Sequence, residues 1–295
     1  MTGKAQAHSA AMASAWGARA RLGLGMALRH RSIRVGGVLF GFVVLLAVFA
    51  DLIAPFDPNK NNFRALLSAP DAVNIFGTDA FGRDILSRVI HGTRLSLLVG
   101  LLVVVATGVL GVILGTLTGY LRWLDGPVMR VMDGLMAFPG ILLAIALAAV
   151  LGPSVANAAL ALTITFTPRT ARIVRSSVLV LKEMPYVEAA RACGASHTRL
   201  VLKHILPNAL PPLIVQLTFV FSISILAEAV LSFMGVGPPP PTPSLGNIIA
   251  EGRSYIQEAP WVALTPGIAI AMSVLGLNII GDGLRDTLDP RLRNL

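Results

Sequence analysis

The sequence predicts an all-α integral membrane protein with six transmembrane helices. Of its 295 residues, 55% are hydrophobic and only 13% are charged, whereas an ordinary soluble domain carries about 25% charged residues. The mean hydropathy is +0.74. Six apolar runs alternate with polar, turn-rich segments, and a helix of about 20 apolar residues is long enough to cross a hydrocarbon core of about 30 Å.

The N-terminal region is basic and precedes the first apolar run. Residues 1–34 carry six Lys and Arg and no acidic residue. Two interpretations of this tail stay open, an interfacial helix over residues 12–30 and a disordered segment. Residues 35–54 are long enough to span a bilayer and lack an A-x-A cleavage site, so we interpret them as a retained first transmembrane helix rather than a signal peptide.

A polar segment over residues 55–93 is predicted to lie outside the membrane, because it is too polar to cross lipid and too long for a tight connection. The second apolar run, 94–120, contains Gly111, Gly115 and Gly119 at four-residue spacing. That spacing places small residues on one helix face, where a second helix can approach closely. Glycine scattered through a membrane helix without a packing role is the alternative.

The remaining apolar runs complete a predicted core of five helices over residues 94–282. The third run opens with Phe138-Pro139-Gly140, and the end of the fourth stays open between Pro168 and Ile173. The four runs cover 134–151, 155 to 168 or 173, 209–234 and 261–280. The polar stretches between and after them are 121–133, 169–208, 235–260 and 283–295.

The polar stretch 185–212, PYVEAARACGASHTRLVLKHILPNALPP, is predicted to form two short helices. Glu188 to Ala192 is a helix-forming run, and Gly194 can take the left-handed conformation that ends a helix. Thr198 to Ile205 is expected to form a second helix that ends before Leu206-Pro207. The result is a compact surface element outside the membrane, which we call the 185–212 element.

The basic residues are divided unequally between the two predicted sides of the membrane. Eighteen of the 24 Lys and Arg residues fall on the side of the termini. Because cytoplasmic loops carry the basic excess, both termini and the 185–212 element are predicted to be cytoplasmic. The net charge of +9 then requires no nucleic acid. Asp79 and Asp84 are expected to pair locally with the outer basic cluster, Arg83, Arg88, His91 and Arg94.

No catalytic or metal-binding motif emerges from the sequence. It contains no HExxH, no GxSxG and no Cys/His metal spacing, and its five histidines are dispersed. The GxxxxGK[ST] phosphate loop is also missing. We therefore expect a non-catalytic chain without a bound cofactor or metal, and any nucleotide-driven transport would require a second chain. Cys193, the single cysteine, is interpreted as a packed free thiol.

Glu228 is the one carboxylate well inside a predicted span. An unpaired charge there costs at least ~2.5 kcal/mol, so the side chain must be neutral, paired or facing a wet path. Two interpretations stay open, a role in a substrate path and a structural contact with a neighbouring helix or a second subunit. The outer basic residues Arg83, Arg88 and Arg94 are candidate partners.

The 185–212 element resembles the EAA motif of bacterial ABC importer permeases, through Glu188-Ala189-Ala190, Gly194 and Leu206-Pro207. His204 stands where the motif has isoleucine, and Ile205 follows it. Three further stretches, FGTDAFGRD at 76–84, AVLSFMGVG at 229–237 with PTPSLGN at 241–247, and DPRLR at 289–293, extend the likeness. From residue 35 to its end, the chain is similar to the C-type permease of dipeptide, oligopeptide and nickel importers.

This resemblance implies the type I ABC importer permease fold in a bacterial inner membrane. It implies a heterodimer with a B-type permease, one or two ATPase subunits that hold ATP and Mg²⁺, and an extracytoplasmic solute-binding protein docking on residues 60–93 and 235–260. Glu188 and Arg191 would contact the ATPase groove, Ala189, Ala190 and Ala192 would allow close approach, and Gly194 would set the bend. Peptide and nickel both stay open as substrates. An ion-coupled secondary transporter, the alternative class, would need more buried ion-coupling groups than Glu228 alone.

Overall fold

The computed structural model describes residues 30–288, and this part of the chain is helical. Its only β-type pairing is an isolated bridge between Thr78 and Asp84. The predictions for residues 1–29 and 289–295 lie outside the described residues. The helices are α1 (Arg31–Val48), α2 (Ala50–Ile53), α3 (Ile85–Tyr120), α4 (Arg122–Met136), α5 (Gly140–Leu151), α6 (Val155–Leu181), α7 (Pro185–Ala192), α8 (His197–Phe233), α9 (Leu245–Gly252) and α10 (Trp261–Leu288).

Four of these helices, α1, α3, α8 and α10, are long and apolar enough to cross a membrane. Helices α4 and α5 meet at a bend of 92° and would add a fifth span if the pair is one broken span. Helix α6 has 27 residues, but Arg169, Arg172 and Arg175 lower the hydropathy of its second half. The predicted all-helical membrane fold is therefore confirmed for the described residues.

Two helices extend beyond the apolar runs that predicted them. Helix α3 begins at Ile85 rather than near residue 94, because the Asp84 side chain accepts a hydrogen bond from the Ser87 backbone N–H at 2.8 Å and caps the helix. Helix α6 passes through Pro168 and ends at Leu181, which resolves the open end of the fourth run. Hydropathy missed both extensions because their charged residues lower the mean hydropathy of these helix turns.

The third apolar run is not one straight helix. It breaks between Met136 and Gly140, where Pro139 cannot donate a backbone hydrogen bond. The preceding stretch, predicted as a link over 121–133, is the amphipathic helix α4. Helix α4 is held against α6 by two ion pairs with N–O distances of 2.5 Å, Asp125–Arg175 and Asp133–Arg172.

The helices bury three apolar clusters at successive levels. Helix α3 lies along α6 and also contacts α8, while α10 packs between α1 and α8. One cluster joins α3, α5, α6 and α8 in the middle of the bundle. A second joins α9 to the N-terminal ends of α3 and α10. The third lies at the opposite end, where α6, α7 and α8 meet, and it supports the 185–212 element.

Candidate functional site

The first helix of the 185–212 element, α7, has defined signals at both ends. Pro185 occupies its first turn, where the missing N–H would be unpaired in any case. At its C-terminal end Gly194 has φ of +81°. The Ala195 N–H donates to the Ala190 carbonyl at 3.0 Å, and the Gly194 N–H donates to the Arg191 carbonyl at 2.9 Å. These two bonds form a Schellman motif, so the predicted glycine turn is present.

One face of the element is buried and the other is open to solvent. Val187, Leu200 and Ile205 are fully buried against residues of α6 and α8. Glu188 and Arg191 are exposed and lie one turn apart on α7. Ala189 is exposed beside them and Ala190 is half-buried. The element is therefore held against the bundle by apolar packing and presents small and charged side chains to solvent.

The Cys193 thiol is exposed, so its interpretation as a packed thiol was wrong. The residue follows the last residue of α7 and precedes the turn at Gly194. At this position the side chain projects beyond the apolar layer. Tyr186, at the other end of α7, is partly covered by the element, and this burial raises the pKa of its phenol.

The second half of the element differs from the prediction, because its helix does not end before Leu206-Pro207. Helix α8 begins at His197 and continues to Phe233. It contains a π-helical turn over Leu200–Ile205, in which the Leu206 N–H bonds to the Val201 carbonyl. The wider turn changes the hydrogen-bond register just before the proline, whose missing N–H would otherwise break the ladder.

Side chains complete the hydrogen bonding around this π-helical turn. The Asn208 side-chain amide donates to the His204 carbonyl at 2.6 Å, and the Tyr186 hydroxyl donates to the same oxygen at 3.3 Å. Ile205 is fully buried, whereas His204 is half-buried. Leu206 and Pro207 are half-buried within the continuous helix. A single helix of about 55 Å, at 1.5 Å per residue, thus joins the 185–212 element to the far end of the bundle.

The base of the element also contacts the end of α3. The Lys182 ammonium donates to the Gly119 carbonyl at 3.0 Å, which places a cation at a helix C-terminus. The Tyr120 hydroxyl lies 2.7 Å from His197 Nδ1. These contacts connect the residue that follows α6 and the first residue of α8 to the same helix end.

Gly111, Gly115 and Gly119 lie along the face of α3 that meets α6. A Cβ atom added at Gly111 would lie 2.6 Å from Thr170 Cγ2, and one at Gly115 would lie 2.5 Å from the Ala171 carbonyl oxygen. At Gly119 it would lie 2.8 Å from Val178 Cβ. The two backbones therefore approach at a distance that larger residues would prevent.

Glu228 is fully buried within a single copy of the chain. Its carboxyl accepts hydrogen bonds from the Ser96 hydroxyl at 2.5 Å and from the Ser232 hydroxyl at 2.7 Å. Ser96 belongs to α3, so the carboxyl joins two helices. The arginines expected as its partners make their contacts elsewhere, as described below.

Comparison with known proteins agrees with this geometry. Residues 108–294 match the family described as the binding-protein-dependent transport system inner membrane component. Residues 27–70 match the N-terminal transmembrane domain of oligopeptide transport permease C. The chain belongs to this inner-membrane transport family. It is accordingly a multi-pass protein of the bacterial inner membrane.

Named relatives of this transport component align over most of its length. It is 53% identical to a putative peptide transport system permease protein of Brucella abortus over 90% of both chains. It is 44% identical to the di/tripeptide permease DppC of Pseudomonas aeruginosa over 90% of both chains. The glutathione permease GsiD of Pectobacterium atrosepticum is 40% identical, over 90% of this chain and 89% of the relative.

A solved structure of an inward-facing MetNI methionine ABC transporter contains a chain of similar fold. The match has a TM-score of 0.56 at 23% identity and covers 68% of this component and 96% of the MetNI chain. At this identity the likeness supports the fold alone. It agrees with the type I importer permease fold expected from the sequence.

A buried ionic cluster lies at the end of the bundle opposite the 185–212 element, and the sequence predicted only part of it. Arg83 Nε lies 2.6 Å from Asp79, as expected for a local pair. Arg88 is 1% exposed and also pairs with Asp79. Glu251 joins both arginines, at 2.7 Å from Arg83 and 2.6 Å from Arg88. No local pattern identifies Glu251 as a partner, because it lies 163 residues from Arg88.

The remaining charges at this end of the bundle follow a different arrangement from the predicted one. Asp84 caps α3 rather than forming an ion pair within residues 30–288. Arg94 pairs with Asp51 at 2.9 Å, and His91 Nε2 lies 3.3 Å from the same carboxylate. Hydrogen bonds from Arg94 and then His91 hold the pKa of Asp51 below its ordinary value. Over residues 30–288, no three His, Cys, Asp or Glu side chains are close enough together to hold a metal ion.

Proposed function

We propose that this chain is the permease subunit of an ATP-driven importer of peptides. The observation that carries the proposal is the exposed face of α7, fixed to a helix that runs through the bundle. The names of relatives at 40–53% identity support peptides as the substrate class. Nickel, the alternative left by the sequence, has no comparable support among these relatives.

The proposed topology has six spans with both termini in the cytoplasm. The spans are α1, α3, the bent pair α4 and α5, α6, α8 and α10, in chain order. The basic excess on the side of the termini supports this orientation. In this arrangement the 185–212 element is cytoplasmic, and the buried ionic cluster around Arg88 is extracytoplasmic.

The coupling site is the exposed face of the 185–212 element. Glu188 and Arg191 make charged contacts with an ATPase subunit, while Ala189 and Ala190 keep the contact close. Gly194 fixes the end of α7. Leu206 and Pro207 lie where the element enters the membrane part of α8, so closure of the ATPases moves α8 as one rigid piece. A rigid connection is what converts ATPase closure into opening of a path.

The proposed complex contains a second, B-type permease, one or two ATPase subunits and an extracytoplasmic solute-binding protein, within membrane lipid. ATP and Mg²⁺ are held by the ATPase subunits, and this chain has no catalytic role. The segment 55–84 and α9, joined by the buried ionic cluster, form the platform for the binding protein. We assign Glu228 to contacts between α3 and α8, since none of its surface is exposed in a single chain.

A charge reversal at the exposed face tests the coupling role. The variant Glu188→Arg is expected to insert normally but to lose co-purification of the ATPase subunits and coupled uptake of dipeptide in proteoliposomes. Asp286→Arg, at an exposed acidic residue near the end of α10, is the matched control and should retain both. Normal uptake by Glu188→Arg would refute the proposed docking, and a purified wild-type complex that takes up no peptide would refute the importer function.

A further inference from the structure

A groove lined by charged and amide side chains lies between α6, α8 and α10. It consists of two adjoining cavities of about 470 and 450 Å³ that share Val215, Gln216 and Arg285. Both volumes fall in the range of about 300–1,000 Å³ that is usual for small-ligand sites. Gln216 lines both cavities, although only 7% of its surface is exposed.

The groove lies on the side of α10 that faces away from α1. Gly276 and Gly283 of α10 lie against α1. Asn278, Asp282 and Arg285 line the groove, and their spacing of i, i+4 and i+7 places them on one face of the helix. Packing within the chain therefore covers one face of α10 and leaves the polar face open.

The groove contains charges of both signs and an amide oxygen that has no hydrogen-bond partner among the described residues. Across residues 30–288, Arg169, Asp282 and Arg285 take part in none of the ion pairs. The Arg169 guanidinium lies 5.4 Å from the centre of the Phe219 ring, which holds it at the wall of the groove. The Asn278 side-chain oxygen is buried without a hydrogen-bond partner in the described part of the chain.

Contact between this surface and the lipid hydrocarbon would be energetically unfavourable. The three charged side chains lie on helices whose other faces are apolar, and a charge that faces lipid is strongly unfavourable. The groove must therefore face water, a polar solute or another protein. A peptide with free ends has one carboxylate, one ammonium and at least one amide, and these groups match the groups of the groove.

We propose that this groove holds the transported peptide by its two ends on the cytoplasmic part of the path. Arg169 and Arg285 receive the carboxylate, Asp282 receives the ammonium, and Gln216 and Asn278 bond the peptide group. The proposal rests on the importer function and adds a binding site within the membrane to it. A zwitterionic peptide pairs with charges of both signs at once, whereas a peptide with blocked ends leaves these charges without a partner.

Thiol accessibility tests occupancy of the groove directly. The variant Cys193→Ser removes the single native thiol of this chain, and Asn278→Cys then introduces one in the groove. In the complete, nucleotide-free importer, this thiol is expected to react with a cationic methanethiosulfonate reagent. An excess of alanyl-alanine should slow the reaction about tenfold, whereas N-acetyl-alanyl-alanine amide should not, because it lacks both charges. Mass spectrometry of this chain gives the extent of labelling.

Uptake by charge variants provides an independent readout. Asp282→Asn is expected to lower uptake of alanyl-alanine about tenfold, with unchanged ATPase association and unchanged ATP hydrolysis stimulated by the binding protein. The matched control Asp286→Asn changes an exposed acidic residue of the same helix outside the groove and should stay within about twofold of the parent.

Two results would overturn the groove as a peptide site while leaving the importer function intact. In the first, the Asn278→Cys thiol is labelled equally with and without dipeptide, and Asp282→Asn transports normally. In the second, the thiol is inaccessible in the complete complex and cross-links to the second permease, which would make the groove an interface between subunits. Failure of the parent complex to take up any peptide would refute the importer function itself.

Discussion

Replacement of Gly194 by valine should separate insertion of the permease into the membrane from its proposed coupling to an ATPase. The glycine has φ of +81°, and a Cβ atom built there meets no other atom within 4 Å. The cost of a side chain is therefore backbone strain alone and not a clash. For an L-residue held in such a conformation the strain is about 1–3 kcal/mol.

The strain acts on the end of α7 and not on the bundle. A cost of about 2 kcal/mol corresponds to a population change of about 30-fold, so the Schellman turn should open in a large fraction of molecules. Val187 and Leu200 on either side remain anchored in their apolar cluster. We therefore expect normal amounts of membrane-inserted Gly194→Val, with ATPase association and coupled uptake reduced by up to about 30-fold.

Two controls make this test specific. Asparagine tolerates left-handed backbone better than other side chains, so Gly194→Asn should keep most of the coupling. Gly152 has φ of +87° and is equally uncrowded, but it lies at the opposite end of the bundle. Gly152→Val should therefore strain the chain without uncoupling it. ATPase co-purification and uptake equal to wild type in Gly194→Val would refute the reasoning.

Three further substitutions probe the packing of the bundle. Gly115→Leu should lower the unfolding free energy of the purified complex, measured by thermal denaturation, by about 1–3 kcal/mol, because its Cβ would lie 2.5 Å from a backbone oxygen of α6. The control is Gly37→Leu, where the added Cβ meets nothing within 4 Å. Equal losses of stability in the two variants would contradict the close approach of α3 and α6. Glu228→Leu should lower the same unfolding free energy by about 2 kcal/mol, because two serine hydroxyls lose their hydrogen-bond acceptor, whereas Glu228→Gln should lower it less. The reverse order would contradict the hydrogen-bonding role of Glu228. Arg88→Met removes one of the two arginine partners of buried Asp79, and breaking a buried ion pair costs about 3–5 kcal/mol of folding free energy. Limited proteolysis of the segment 55–84 should therefore become faster, and an unchanged cleavage rate would contradict the anchoring role of Arg88.

The 185–212 element was predictable where local interactions decide its structure. A proline-led helix that ends at Gly194 follows from bonds between residues at most five apart, and the structure has this helix and turn. The end predicted before Leu206-Pro207 was wrong because the π-helical turn is stabilised by tertiary contacts. Tyr186 donates to the His204 carbonyl from 18 residues away, and no residue pattern within the turn reveals that contact.

The class of the protein and the approximate positions of its membrane helices follow from the sequence alone. Hydrophobic composition and run length depend on the solvent that each segment faces, and that information is local. Which charged side chains pair with one another depends on the packing of the helices. Glu251 completes the buried cluster of Arg83 and Arg88 from more than 160 residues away. Arg169, Gln216 and Asp282 line one groove although they lie on three different helices. Such encounters depend on how whole helices pack, and helix packing follows from side-chain shape across the bundle rather than from the neighbours of any one residue.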